Sequence, residues 1–209
     1  MAFIVKEKEP KLSLEMQELI NRSHQDGNGK AYSDIERYKY KIMKMLTSNL
    51  DILYTLHNEE LEKNIQYTYN EKGEKIETLN GDAYRDVNIF NFLKIPDTQS
   101  TVKNFICFEV NDIEQPRYRD DLIIKNIIFR TISHEKDYIT DWGIARQDLL
   151  AIIIQSVFDW SNVFGIHLEK VSDRGRIAEN GYYYREFIYE TTIPNNINNK
   201  INGGLYGRK

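Results

Sequence analysis

The chain has 209 residues, 41% of them hydrophobic, and a formal net charge of −4. That length and hydrophobic share suit one sizeable domain with a buried core and exclude a chain disordered throughout. The acidic balance gives nucleic-acid binding no global support, because such binders carry a basic field.

Residues 1–32 read as a polar N-terminal arm with one short helix, capped by Ser13 and carrying Leu14, Met16, Leu19 and Ile20 as a partial apolar stripe. Its opening, MAFIVKEKEPKLS, turns charged by Lys6, and the longest apolar run, Leu149 to Ile154, is far too short for a bilayer span. Neither a signal peptide nor a membrane partner is therefore expected. The single cysteine, Cys107, rules out an intramolecular disulfide and fits a reducing compartment.

A core domain is expected over 33–193. Ser33-Asp34-Ile35-Glu36 is a capping box, in which the Ser33 hydroxyl accepts from the Glu36 amide and the Glu36 side chain reaches back. Behind it Ile35, Tyr38, Ile42, Met45 and Leu46 recur at helical spacing, opposite Arg37, Lys39, Lys41 and Lys44. Thr47-Ser48-Asn49 breaks or re-caps this helix before Leu50, Leu53 and Leu56 continue it. Over 64–79 the pattern is a projecting β-hairpin, with Asn70-Glu71-Lys72-Gly73 at the turn and tyrosines Tyr67 and Tyr69 leading in.

Phe105 to Val110 and Leu122 to Ile132 are apolar on both faces, which predicts strands inside a sheet, paired antiparallel across a polar loop. A long helix is predicted from Trp142 to Trp160, capped by Thr140 or Asp141. Ala145, Leu149, Ile152, Ile153, Ser156 and Trp160 would define its buried face, widened by Leu150, Ile154 and Val157. Strands at Ile166 to Val171 and Tyr182 to Ile193 close the domain, joined by a charged loop through Arg174, Arg176 and Gly181. Residues 194–209, rich in Asn and Gly, read as a flexible tail that orders only against a partner. The fold class is thus α+β: a mainly antiparallel sheet with a long helix packed across it, an N-terminal helical region and a projecting hairpin.

A search for chemistry is mostly negative. Asp26-x-Asn28 begins like a calcium loop, but the positions that need glycine and glutamate hold Ala31 and Arg37. His24, His57, His134 and His167 lack paired helical spacing, and one thiol cannot build a thiolate site. Pro96-Asp97 followed by a strand with Glu109 is laid out like a metal-dependent nuclease, yet Asn111 stands where its lysine should fall. Cys107 reads as an inert core thiol. No nucleophile elbow, phosphate loop or dinucleotide fingerprint occurs in the sequence. Tyr182-Tyr183-Tyr184 with Arg185 suits base stacking, against the plainer reading of aromatic pairing within a sheet. The chain reads as a non-enzyme without cofactor or metal; a metal-dependent nuclease and a small nucleic-acid-binding protein are the alternatives.

The element order from Ser33 onward, and the stretch Asp141-Trp142-Gly143-Ile144-Ala145-Arg146-Gln147-Asp148-Leu149-Leu150, resemble tailed-bacteriophage neck proteins: tail terminators and head–tail connectors. The resemblance covers roughly the last two thirds of the chain. The N-terminal arm and the hairpin depart from the smallest members. It implies a structural subunit of the virion, assembled in the host cytoplasm, forming a homo-oligomeric ring, with a hexamer favoured. Such a ring terminates the tail tube, contacts other neck, tail-tube and connector proteins, and lets genomic DNA pass without sequence-specific binding. Exposure logic places the candidate interface at the hairpin tip (Lys72, Gly73), at Arg174 and Arg176, and in the tail at Asn195, Asn196 and Tyr206.

Overall fold

A computed structural model describes residues 34–63, 65–69, 71–93, 103–114, 122–159, 168–177 and 181–194. The expected arm, the Asp26 loop and the tail from Asn195 onward lie outside these residues. Three helices come first: α1 (Asp34–Ser48), α2 (Leu50–Leu56) and the single turn α3 (Glu59–Glu62). The expected break between α1 and α2 is present. Asn49 adopts an extended backbone, and its side chain accepts from the Ile52 amide, which caps the restarted helix.

The hairpin follows as β1 (Ile65–Tyr69) and β2 (Lys75–Leu79), with Gly73 at φ +77 in the turn. Ile65 pairs with Leu79 at its base, and Leu79 is buried in the main core, whereas Tyr67 and Tyr69 farther out are exposed. A tight turn at Gly81–Tyr84 and the two-residue strand β3 (Ile89–Phe90) come next, then β4 (Phe105–Glu114) and β5 (Leu122–His134). After helix α4 (Arg146–Asp159), strands β6 (Glu169–Ile177) and β7 (Tyr182–Pro194) complete the order.

The larger sheet runs β3-β4-β5-β7-β6, antiparallel except for the short parallel pairing of β3 with β4. The α+β class, with a helix packed on a mainly antiparallel sheet, is therefore the observed one. Alternation sorts the strands into two faces. Ile106, Phe108, Val110, Ile127, Phe129, Phe187 and Tyr189 face the helices and meet Tyr38, Ile42, Leu46, Ile52, Leu56, Ile154 and Phe158 in one core. Phe129 is its centre, stacked on Phe187 with ring centroids at 5.2 Å and set against Phe158 at 5.0 Å. On the other face Phe90, Phe105, Cys107, Ile132 and Tyr182 form a smaller cluster. Cys107 is fully buried there, as an inert core thiol should be.

One element is unexpected, and two expectations need correction. The parallel strand β3 has no sequence signal, being only two residues long. Helix α4 starts at Arg146 rather than Trp142, because Gly143 sits at φ +72, a conformation that a right-handed helix does not accept. Its buried face is Leu150, Ala151, Ile154 and Phe158, while Ile152 is 51% exposed and Ser156 lies outside. The helix is apolar on two adjacent stripes, so spacing alone does not choose between them. Ala151, which permits close approach, and Phe158, which fills the core, decide it. Finally, Arg174 and Arg176 lie within β6 and not in a loop, paired in register with Glu186 and Tyr184.

Candidate interaction site

Polar groups converge where the end of α2, the start of α4 and the far ends of β4 and β5 meet. His57 closes α2 in the left-handed conformation, at φ +50. Asn58 caps α3, its side-chain oxygen accepting from the amides of Glu60 and Leu61. The Asp137 carboxylate lies between these elements. One oxygen accepts from the Arg146 guanidinium at 2.7 Å; the other accepts from Asn104 at 2.7 Å and lies 3.0 Å from Nδ1 of His57.

Arg146 also donates to the carbonyls of Asp137 and Thr55, each at 3.0 Å. Asn104 also donates to the Leu56 carbonyl. Asn58 donates to Asn88, which donates to the Asn104 carbonyl. Buried polar groups must find partners, and here the helix end, two loops and the first turn of α4 supply most of them to one another, leaving Oδ1 of Asn104 without one among the described residues.

Two clefts flank this network. The first, of about 440 Å³, is lined by His57, Asn58, Glu60, Lys103 and Lys136 among others. The second, of about 190 Å³, is bordered by Tyr54, Thr140, Asp141, Trp142, Arg146 and Leu149. Chemically the His57–Asp137 pair has the form of a base held by an orienting carboxylate. Among the described residues, no group of His, Cys, Asp and Glu is placed to hold a metal ion.

The wall of the second cleft is a rigid turn. The Thr140 amide and hydroxyl both donate to the Ile144 carbonyl, at 3.0 and 2.8 Å. The Gly143 amide donates to the Thr140 carbonyl at 2.9 Å, and the Arg146 amide to that of Tyr138 at 2.7 Å. This closed turn holds Trp142 76% exposed, with Ile139 and Ile144 also exposed beside it and Tyr54 exposed across the cleft. Asp141, adjacent in the turn, makes no ion pair among the described residues. The charge of Arg146, which also borders this cleft, is already taken by Asp137. The arrangement is therefore two aromatic side chains and an unmatched carboxylate.

The residues singled out from sequence fall elsewhere. Lys72 and Gly73 are exposed at the hairpin tip, and a Cβ at Gly73 would meet open space. Arg174 is exposed on the edge strand β6, and Arg176 follows two residues later. Asn195, Asn196, Tyr206, Asp97, His24 and His167 lie outside the described residues. Glu109 is half-buried on β4 opposite Ile128. Tyr182 is buried, Tyr183 lies 4.6 Å from the Tyr138 ring, and Tyr184 stands beneath the Arg130 guanidinium. The run is therefore seated in the sheet and its ends.

Asn88, Asn104 and Asp137 carry no local signal, because their partners are remote in the chain. The turn is different: Asp141-Trp142-Gly143 has an acidic residue and a glycine spaced for a tight turn, which marks Trp142 as a tip residue.

The family model described as YomW matches residues 49–191, from the cap of α2 almost to the end of β7. No curated protein matches the chain.

Proposed function

The chain belongs to the YomW family, which is phage-associated, and from that premise we propose that it is a structural subunit used in assembling a phage particle. The finer reading is a ring in the neck, a hexamer by preference, that ends the tail tube and joins it to the head-side connector. In that position it touches other neck and tail-tube proteins and surrounds passing DNA. The reading assigns the protein no catalysis and no cofactor.

The observation that carries it is the Thr140–Ile144 turn. Burying an exposed tryptophan is favourable by ~2–3 kcal/mol, and a protein that instead fixes one outward with four backbone and side-chain hydrogen bonds has pre-organised a contact. The hairpin adds a second outward aromatic surface, Tyr67 and Tyr69, on the face whose base enters the core. Two unlike patches on one subunit suit a heterologous interface, which closes into a ring when its rotation allows.

Light scattering of the purified chain at several concentrations tests this, together with probing of purified particles for the protein. A discrete oligomer, or incorporation into particles at a fixed copy number, supports the reading. A chain that is monomeric at every concentration and absent from particles refutes it.

A further inference from the structure

We propose that the cleft formed by Tyr54, Asp141 and Trp142 receives the guanidinium of Arg174 from a second copy of this chain. The inference deepens the ring reading and rests on its assumption that the chain self-associates.

The cleft specifies a cation. An aromatic face attracts a positive charge, most strongly when the ring is tryptophan, and a carboxylate beside it supplies the counter-charge. A planar guanidinium fits such a site better than an ammonium does, since it stacks on a ring while donating to a carboxylate in its own plane. The turn that carries Asp141 and Trp142 is closed by its own hydrogen bonds, so little ordering remains to be done on binding.

The rest of the molecule says which cation. Of the arginines whose side chains are described, Arg85 holds Asp82, Arg130 holds Glu186, Arg146 holds Asp137, and Arg185 holds Asp148 and Asp173. Arg37 lies over the ring of Tyr38. Arg174 makes no ion pair among the described residues and is exposed. Its register partner across the strand pair, Glu186, is already bound to Arg130. Gly175 beside it has open space where a side chain would stand, so nothing next to Arg174 obstructs an approaching surface.

Arg174 is on β6, at one edge of the five-stranded sheet, whereas the cleft belongs to α2 and the turn before α4. The two halves of the contact are distinct patches, as a head-to-tail assembly requires. A surface cation–π contact is modest in water and gains when the cleft is closed by a neighbour, so the contact supports an interface of larger area and does not replace it.

The test uses the full chain. Cys107 is fully buried, so single surface cysteines can be installed against a silent background. A mixture of Asp141→Cys and Arg174→Cys chains, treated with a short bis-maleimide, is expected to give a one-to-one cross-linked pair, and neither variant alone should do so. In parallel, Asp141→Arg or Arg174→Asp alone should weaken association at least tenfold by light scattering, and the double exchange should restore it. Restoration also shows that the single variants had not simply misfolded. No cross-link in the mixture, or an oligomer undiminished in both single variants, overturns the proposal. In the second case the wild-type oligomer still stands, so the ring reading survives; a wild-type chain that never associates and never enters particles removes both.

Discussion

Arg146 donates to the Asp137 carboxylate at 2.7 Å and to the Asp137 main-chain carbonyl at 3.0 Å, so one guanidinium grips the same residue twice. Nine residues apart in sequence, the two close the segment that carries Trp142. Its third donor binds the carbonyl of Thr55, so the same side chain fixes that segment to α2.

Removing one partner of a nearly buried pair leaves the other charge without compensation. Asp137→Asn should therefore cost about 3 kcal/mol. Arg146→Met should cost less, because the carboxylate keeps Asn104 and His57 while the costly buried cation is gone. Urea midpoints at constant slope measure both. Equal losses, or losses below about 0.5 kcal/mol, would show that the pair does not tie these elements together.

His57 combines a side-chain role with a backbone cost. At φ +50 a residue with a Cβ is strained by about 1 kcal/mol relative to glycine, and the hydrogen bond to Asp137 offsets that strain. Ala at position 57 keeps the strain and loses the bond; Gly loses the bond but not the conformation. Gly should be the more stable of the two by about 1 kcal/mol. Thermal unfolding of the pair checks the order, and Ala equal to or above Gly would contradict the backbone assignment.

Gly81 is required for a different reason. A Cβ there would stand 1.8 Å from the carbonyl oxygen of Thr47, which is main chain and cannot swing aside. Gly81→Ala must separate the turn at 81–84 from the end of α1, and a loss on the order of 4 kcal/mol is expected. Amide exchange should accelerate in α1 before it does in β5. A variant as stable as the parent would mean that the two backbones do not approach so closely.

What the sequence makes legible is what is local. The capped α1–α2 break at Asn49, the Gly73 hairpin and strands β4, β5 and β7 all follow from patterns within a dozen residues. The buried side of α4 does not, because Leu149, Ile152 and Ile153 are as apolar as Leu150, Ala151 and Ile154, and only the shape of the sheet beneath chooses. The polar network was invisible for a related reason. Asn104 and Leu56 are 48 residues apart, Arg146 and Thr55 are 91 apart, and no spacing rule joins them. Arg174 was legible as a residue to watch, but the Trp142 turn was not, because that segment read as the start of α4; their complementarity appears only once the other described arginines are seen to be engaged.

Two buried tyrosines should respond oppositely to loss of the hydroxyl. Tyr189 donates to Asp159 at 2.6 Å, so Tyr189→Phe should cost about 1–2 kcal/mol. The Tyr84 hydroxyl is buried without a hydrogen-bond partner among the described residues, and burial pushes its pKa up to about 12. Tyr84→Phe removes a desolvated polar group while keeping the ring, and should be neutral or stabilising. Paired denaturation curves decide the matter; a Tyr84→Phe loss as large as that of Tyr189→Phe would require a partner for Tyr84.

Asp173 ties β6 to β7 and α4: both its oxygens accept from Arg185, and one also accepts from Gln155. The Arg185 hydrogen bonds hold its pKa below the ordinary 3.8, against a smaller opposing effect of burial. The folded state thus binds this proton more weakly than the unfolded chain does. The resulting stabilisation is fully present above the unfolded pKa and is lost as pH falls through the folded value. The wild-type chain should accordingly lose stability from about pH 4 downward, and Asp173→Asn, already lacking the charge, should show a shallower acid limb. Because Arg185 also holds Asp148, the variant should keep part of the link to α4 and remain folded at neutral pH. Urea midpoints taken at closely spaced pH values from neutrality into acid, for both chains, read the difference directly. Parallel acid limbs would show that Asp173 is no more strongly held in the fold than in the unfolded chain.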